Sequence, residues 1–235
     1  MVIDAMRIGL IPALFFTAAG LTAAGAGQTA GKPAAVRTFT DAALQLTFSY
    51  PAELRPMDPK AASAMGQELL YGEDGAGDSS KMKSGAGCTR TLVAVGEDRP
   101  SKVRLALYEI DLSCVPPKAA RNHKLMDQVL DGLAAQGNES LGMMPMEDPV
   151  GFLLQGHHAF FASAQGTPVS ATAIQGSTAE VVATIAAEVE GHDGQPKILA
   201  WHVVASDAAV FNRLLACPVT IGVGPAQALF PAQVR

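Results

Sequence analysis

The chain has 235 residues, of which 49% are hydrophobic and 17% are charged, and its formal net charge is −5. This composition excludes a disordered protein, because the apolar residues are numerous enough for a packed core. The scarcity of Lys and Arg argues against nucleic acid or an anionic membrane surface as a partner, since both require clustered positive charge.

The first segment, residues 1–26, has the pattern of a secretory signal peptide. Arg7 precedes an apolar run over residues 8–16, and small residues follow it. Ala24 and Ala26 occupy the two positions at which a signal peptidase accepts only small side chains. We therefore expect cleavage after Ala26 and an exported mature chain, either periplasmic or secreted.

Two details of this segment leave alternatives open. Asp4 weakens the positive N-terminal region, so Met6 is the favoured start, and Ala30 is a second, weaker cleavage position. The segment could instead be an uncleaved anchor, but its apolar run is short for a span of about 20 residues and contains Pro12. No Cys lies directly after the run at the position where a lipid would be attached, which excludes a lipid-anchored product. The abundant Ala and Gly suggest a bacterial source.

After a flexible leader over residues 27–36, we expect a single domain over residues 37–235. Its first element is a strand with one buried face, because apolar and polar residues alternate from Leu44 to Tyr50 before Pro51.

A helix is predicted to follow this strand. Asp58 and Pro59 are favourable residues for a helix start, and the helix should run to Leu70 or Tyr71. The glycine-rich residues 72–87 predict a long loop.

A hairpin and a second helix are predicted in the middle of the chain. Strand-like runs over residues 89–95 and 103–112 are joined by a turn sequence at 97–101. Pro116 and Pro117 then break the second strand and start a helix that stops near Gly137. Its apolar residues recur at helical spacing, at Leu125, Met126, Val129, Leu130, Leu133 and Ala134.

The last hundred residues predict mostly strands. Asp207 should cap a short helix that ends near Ala216. The run 198–205 is nearly all apolar, which predicts a strand in mid-sheet with both faces covered. The order of elements favours an α+β fold in which helices pack on a mostly antiparallel sheet. The strands are predicted over residues 152–156, 157–164, 180–190, 198–205 and 219–223.

Three stretches resemble the PsbP-like family, the α+β fold of photosystem II PsbP and Mog-type proteins. The segment from Phe39 to Pro51 resembles the family's opening, with an aromatic residue, an Asp and an apolar-x-Phe-x-Tyr-Pro strand. Residues 156–159 are similar to its Gly-x-x-Ala hairpin, and residues 211–221 to its closing helix and strand. The chain departs from the family at Leu54, where a Trp often stands, and in the inserted loop 72–87.

This resemblance covers most of residues 37–223. It implies an αβα sandwich and an accessory or binding protein without catalytic activity. The family's motifs are mainly structural, and no family site residue maps onto this chain.

Three cysteines, Cys88, Cys114 and Cys217, raise the question of a disulfide, because exported proteins oxidise available pairs. If the predicted hairpin forms, paired residue numbers sum to about 202, and Cys88 then lies opposite Cys114. A Cys114–Cys217 bridge or no bridge at all are the alternatives. Nothing local lowers a cysteine pKa as a nucleophile requires, so no catalytic cysteine is expected.

Histidines are the weak candidates for a polar site, namely His157, His158 and His202. Adjacent His157 and His158 in a strand point to opposite faces, so they cannot easily share a metal. His202 beside Trp201 is expected to be a hydrogen-bonded sheet residue. No ligand spacing for a metal and no cofactor motif is present.

The remaining motifs are weak. Residues 80–83 match Ser-x-x-Lys, but they lie among glycines, and the companion motifs of penicillin-binding enzymes are absent. Glu147 and Asp148 are expected in a solvated bend.

Three functional hypotheses follow. The leading one is an exported, non-enzymatic PsbP-like protein that binds an unidentified protein or small molecule. The second is a small secreted hydrolase whose site is assembled only by the fold. The third is an envelope protein that docks a partner through loop 72–87.

Overall fold

A computed structural model describes residues 35–71, 87–97, 103–136, 143–167 and 179–231. The proposed signal peptide, most of the leader and loop positions 72–86 lie outside these residues. Within the described ranges the chain forms three helices and twelve strands: β1 Val36–Asp41, β2 Leu46–Pro51, β3 Arg55–Pro56, α1 Pro59–Tyr71, β4 Thr89–Gly96, β5 Val103–Ile110, α2 His123–Gln136, β6 Met143–Pro145, β7 Val150–Leu154, β8 His157–Gly166, β9 Glu180–Glu190, β10 Pro196–Ala205, α3 Ala208–Leu215, β11 Pro218–Ile221 and β12 Gln227–Ala228.

The strands form two sheets, and every described strand pair is antiparallel. The large sheet has the order β3-β4-β5-β10-β9-β8, with both β6 and β7 along the outer edge of β8. The small sheet has the order β1-β2-β11-β12. The predicted α+β class and the predominance of antiparallel pairing are therefore confirmed.

One face of the large sheet, the helix side, is covered by α1 and α2. Apolar residues of both helices, among them Leu69, Met126 and Leu130, pack with Tyr108 and its neighbours in one buried cluster. The Tyr108 hydroxyl donates to the carbonyl oxygen of Ala62 at 2.9 Å. Gly66 allows this close approach, because a Cβ there would lie 2.9 Å from the Tyr108 ring.

The opposite face, the small-sheet side, is covered by the small sheet together with α3. Phe48 of β2 meets Trp201 of β10 edge to face, with ring centroids 6.3 Å apart, and both side chains are fully buried. Leu214 of α3 belongs to the same apolar cluster. Since β10 contributes to both clusters, the prediction that residues 198–205 lie in mid-sheet is confirmed.

Two predicted helix starts are also confirmed. Asp58 accepts hydrogen bonds from the backbone N–H groups of Lys60 and Ala61, at 2.9 and 3.2 Å. Asp207 accepts one from Val210 at 2.9 Å. In each case a carboxylate satisfies N–H groups that the first helical turn leaves without a partner.

Several predicted boundaries were wrong. The second helix begins at His123 instead of Pro116, because two short 3₁₀ turns, Leu112–Cys114 and Ala119–Arg121, come first. A strand, β1, already begins at Val36 within the expected leader, and it pairs with β2.

The predicted β4–β5 hairpin forms, and a disulfide joins Cys88 to Cys114. The geometry differs from the expected one, because β5 ends at Ile110 and Cys114 lies in a 3₁₀ turn. The backbone N–H of Asp111 donates to the carbonyl oxygen of Cys88 at 2.9 Å, which folds this turn back towards Cys88. The alternative pairing with Cys217 is excluded, since Cys217 is free and buried.

No helix within the described residues is long and apolar enough to cross a membrane.

Candidate functional site

The three candidate histidines lie in different surroundings. His157 and His158 follow each other in β8, and their neighbours show the alternation of a strand: Ala159 packs on the small-sheet side and Phe160 on the helix side. His158 is therefore on the helix side, as its contact with α2 confirms. The prediction that the two imidazoles point to opposite faces is correct.

His158 forms a pair with Asp127 of α2. The distance from His158 Nδ1 to Asp127 Oδ1 is 3.0 Å, and the histidine side chain is more than half exposed. One turn earlier in α2, His123 Nδ1 lies 3.7 Å from Glu188 Oε2 on β9. Both pairs connect the start of α2 to the sheet. Because they are exposed, each is expected to contribute less than about 1 kcal/mol to stability.

His157 is half-buried on the small-sheet side. Burial lowers its pKa, and this effect is partly offset by a hydrogen bond to the backbone of Glu188 and by the charges of Glu190 and Glu188. The ring is therefore enclosed next to acidic residues without a direct ion pair among the described residues.

His202 lies on the helix side of β10 and contacts Thr184 on the neighbouring β9. Its Nδ1 is 3.1 Å from the Thr184 hydroxyl oxygen, and Thr184 is fully buried. The two residues are direct cross-strand partners in the β9–β10 register. The expectation that His202 is a hydrogen-bonded sheet residue is confirmed.

A second polar pair lies beside His202 on the same face. Arg104 of β5 places Nη2 3.4 Å from Oε2 of Glu180 on β9, across the width of β10. Its Nε is buried and has no hydrogen-bond partner in the described part of the chain. Arg104, Glu180, Thr184 and His202 thus form a polar row beside the apolar cluster on the helix side.

The electrostatics of this row keep His202 neutral. Burial lowers its pKa to about 4, and the positive charge of Arg104 acts in the same direction. Near neutral pH the neutral imidazole therefore has one nitrogen that donates and one that accepts, and Nδ1 takes one of these roles towards the Thr184 hydroxyl.

We expect this histidine to make stability depend on pH. Its pKa is about 6.5 in the unfolded chain and about 4 in the folded chain, so protons bind the unfolded state first as pH falls. The His202 contribution is fully present above pH 6.5, and roughly 3 kcal/mol should be lost between pH 6.5 and pH 4. Denaturant unfolding of His202→Gln across this range should show a flatter dependence than the wild type.

The matched control is His192→Gln, which changes an exposed turn residue. This variant should retain the wild-type slope of unfolding free energy against pH. Equal slopes for His202→Gln and the wild type would contradict the assignment, whatever the offset in absolute stability.

The sequence reasoning missed an ionic network at one end of the sheets. Arg90 of β4 donates through Nε to Glu109 Oε2 at 2.6 Å, and its Nη2 lies 3.4 Å from Oδ2 of Asp41 on the small sheet. Lys197 Nζ is 4.0 Å from Glu109 Oε1. The network joins β4, β5 and β10 of the large sheet to β1 of the small sheet, and Asp41 also accepts from the backbone N–H of Leu44. Asp41 therefore has a structural role at the end of β1.

The described residues offer little to metal or nucleophilic chemistry. They contain no group of three or more His, Cys, Asp or Glu side chains that could hold a metal ion. Burial raises the pKa of Cys217 to about 11, so its sulfur is a thiol at neutral pH. Glu147 and Asp148 are exposed in a bend, as expected. The Ser-x-x-Lys segment at 80–83 lies outside the described residues.

A signal for part of the polar row was present in the sequence. Thr184 lies between Val182 and Ala186 on one face of β9, and it could have been paired with His202 had the strand order been known.

A scan against protein-family models finds no match for this chain, and a search of curated proteins finds none either.

Proposed function

We propose that this chain is an exported, non-enzymatic binding or accessory protein of the PsbP-like class. The observation that carries the proposal is the environment of His202. Its imidazole bonds to the hydroxyl of Thr184, which is fully buried, so a substrate cannot reach that oxygen. A histidine with a pKa of about 4 is also a weak general base near neutral pH. The His202–Thr184 pair is suited to holding β9 and β10 together.

The disulfide and the N-terminal sequence support export. Disulfides persist in oxidising compartments, and the Cys88–Cys114 bridge agrees with the signal-peptide pattern over residues 1–26.

The PsbP-like assignment is supported by the pairing of the chain's opening and closing segments. β2, which carries the Phe-x-Tyr-Pro motif, pairs with β11, which follows the closing helix α3. The helices α1 and α2 cover one face of the large sheet. On the other face, α3 and the small sheet together cover the large sheet. A simple sandwich would have only helices on that face.

A binding role is supported by two exposed methionines at the edge of the large sheet. Met144 and Met146 are 71% and 49% exposed. Methionine side chains are flexible and polarisable, and they suit adaptable apolar contacts.

The second candidate is a secreted hydrolase, and the His158–Asp127 pair favours it. A carboxylate at 3.0 Å could orient the imidazole of His158, as an orienting acid does in hydrolytic triads. In this hypothesis the substrate-attacking group would be a water molecule, with His158 as its base.

One experiment separates the two candidates. The wild-type mature chain and its His158→Ala variant are incubated with ester, peptide and glycoside substrates, and His192→Ala is the control variant. In parallel, a photo-crosslinking residue replaces Met144 in cells that naturally make the chain, with Val36, also exposed at 60%, as the control position. We expect no turnover and an adduct at position 144 that is absent at position 36. Turnover that is lost in His158→Ala and retained in His192→Ala would establish the hydrolase instead.

A further inference from the structure

Along the outer edge of β7, several backbone groups have no hydrogen-bond partner among the described residues. A two-residue turn, Gln155-Gly156, joins β7 to β8, and both residues have positive φ, 54° and 83°. In such a hairpin the residues flanking the turn exchange both backbone hydrogen bonds. Val150, Phe152 and Leu154 therefore direct their N–H and C=O groups to β8. The backbone groups of Gly151 and Leu153 point away from the sheet.

One end of this edge is already covered by the Gln227 side chain. Its Oε1 accepts from the backbone N–H of Gln155 at 3.1 Å, and its Nε2 lies 3.4 Å from the carbonyl oxygen of Leu153. Gln155 Nε2 in turn donates to the carbonyl oxygen of Pro225 at 2.9 Å. The Gln227 amide thus takes the place of a neighbouring peptide group at the Leu153 carbonyl and the Gln155 N–H.

The remaining edge groups are arranged symmetrically about Gly151. They are the N–H and C=O of Gly151, the N–H of Leu153 and, by continuing the alternation, the C=O of Pro149. No described residue hydrogen-bonds to them. Pro149 has no N–H to donate. In a pairing that places Pro149 opposite Leu153, no donor is therefore needed at the Leu153 carbonyl, which Gln227 already occupies. The set contains two donors and two acceptors.

We propose that a second copy of this chain pairs with β7 in antiparallel orientation, about a two-fold axis at Gly151. The two Gly151 residues exchange two hydrogen bonds. Each Leu153 N–H donates to the Pro149 carbonyl of the other copy. This register uses all four of these groups and leaves the Gln227 contacts intact, because Pro149 has no N–H that would compete for the Leu153 carbonyl.

The side chains fit the same register. On the small-sheet side, each half-buried Val150 lies opposite Phe152 of the other copy, and aromatic–β-branched cross-strand pairs are favourable. On the helix side Leu153, which is 58% exposed, lies beside Pro149 of the other copy. Residues 149–156 carry no charged side chain, so this edge lacks the charges that proteins use to prevent such pairing.

The two-fold arrangement is closed, because the same edge is used by both copies. The large sheet would then continue from one copy into the other. This inference does not depend on the proposed binding function, since it rests on the β7 edge alone.

The test is the mass of the mature chain in solution, measured by sedimentation over a range of concentrations. The wild type should form a dimer, and Leu153→Lys should raise its dissociation constant at least about tenfold, because the lysine brings a charge to the interface. Val36→Lys is the control, since Val36 is similarly exposed, at 60%, but lies on β1 of the small sheet. It should dimerise like the wild type.

Hydrogen exchange provides the second readout and does not depend on the variants. The amides of Gly151 and Leu153 should become protected as concentration rises, while the Val36 amide should not. A wild type that stays monomeric, or a dimer that Leu153→Lys leaves unchanged, would overturn the proposal. Far-UV circular dichroism verifies that each variant is folded.

Discussion

Replacing both Cys88 and Cys114 by Ala should lower the free energy of unfolding by about 3.5 kcal/mol. The bridge closes a loop of 26 residues, and in the chain-entropy account a loop of that length restricts the unfolded chain by this amount. The loss is a large fraction of the 5–15 kcal/mol that typically stabilises a domain. The unfolding midpoint in denaturant should therefore fall markedly, as followed by the fluorescence of Trp201, the single and fully buried tryptophan.

Reduction of the wild type gives the matched comparison. A reducing agent should lower the midpoint of the wild type and of Cys217→Ala by the same amount, because Cys217 takes no part in the bridge. The double variant should not respond to the reductant. If the midpoints of reduced and oxidised wild type coincide, the bridge does not stabilise the fold. A marked dependence would mean that the chain gains stability in an oxidising compartment, as the export proposal requires.

The disulfide could be predicted because its determinants are local. Two strand-like runs joined by a short turn sequence predict a hairpin, and a hairpin brings Cys88 near Cys114 without knowledge of the rest of the fold. The exact register of the hairpin could not be predicted in the same way. At the Cys88 end the register is about three residues shorter than expected, since Thr89 pairs with Ile110, and a bulge lies between Thr91 and Val93. The 3₁₀ turn that carries Cys114 makes up the difference.

The small sheet could not be predicted because its central pair is distant in sequence. β2 pairs with β11 through contacts such as Phe48 with Val219. Periodicity shows that each strand has a buried face, but it does not say which strand lies beside it. The strand pattern from Leu44 also missed the turn that precedes β2, where Gln45 has a positive φ of 48°.

The polar row could not be predicted for the same reason as the small sheet, since its residues come from strands that are distant in sequence. Arg104, Thr184 and His202 become neighbours only because β5, β10 and β9 lie side by side in that order. Sequence reasoning identified His202 as a sheet residue, but the partners of the imidazole depend on two registers between distant strands. The predicted start of α2 was wrong for a different reason. Consecutive prolines favour a helix start, but the chain makes two 3₁₀ turns before the helical apolar pattern begins.

Phe48→Ala should be the most damaging single change at the contact between the two sheets. Phe48 is fully buried, and its ring meets Trp201 of the large sheet and Tyr50 of its own strand. Truncating a buried Phe to Ala typically lowers the free energy of unfolding by about 3–5 kcal/mol, because the cavity cannot close completely. Chemical denaturation should show this loss, together with a shifted Trp201 emission maximum in the native state.

The control for this change is Tyr50→Ala on the same strand. Tyr50 is only half-buried, so its truncation should destabilise the protein by less than half as much. Because Phe48, Trp201 and the α3 residue Leu214 share one apolar cluster, the small sheet and the large sheet should unfold in one transition. Fluorescence and far-UV circular dichroism of Phe48→Ala should therefore give the same midpoint. Separate midpoints would mean that the small sheet melts by itself, and that the Phe48–Trp201 contact does not couple the two layers.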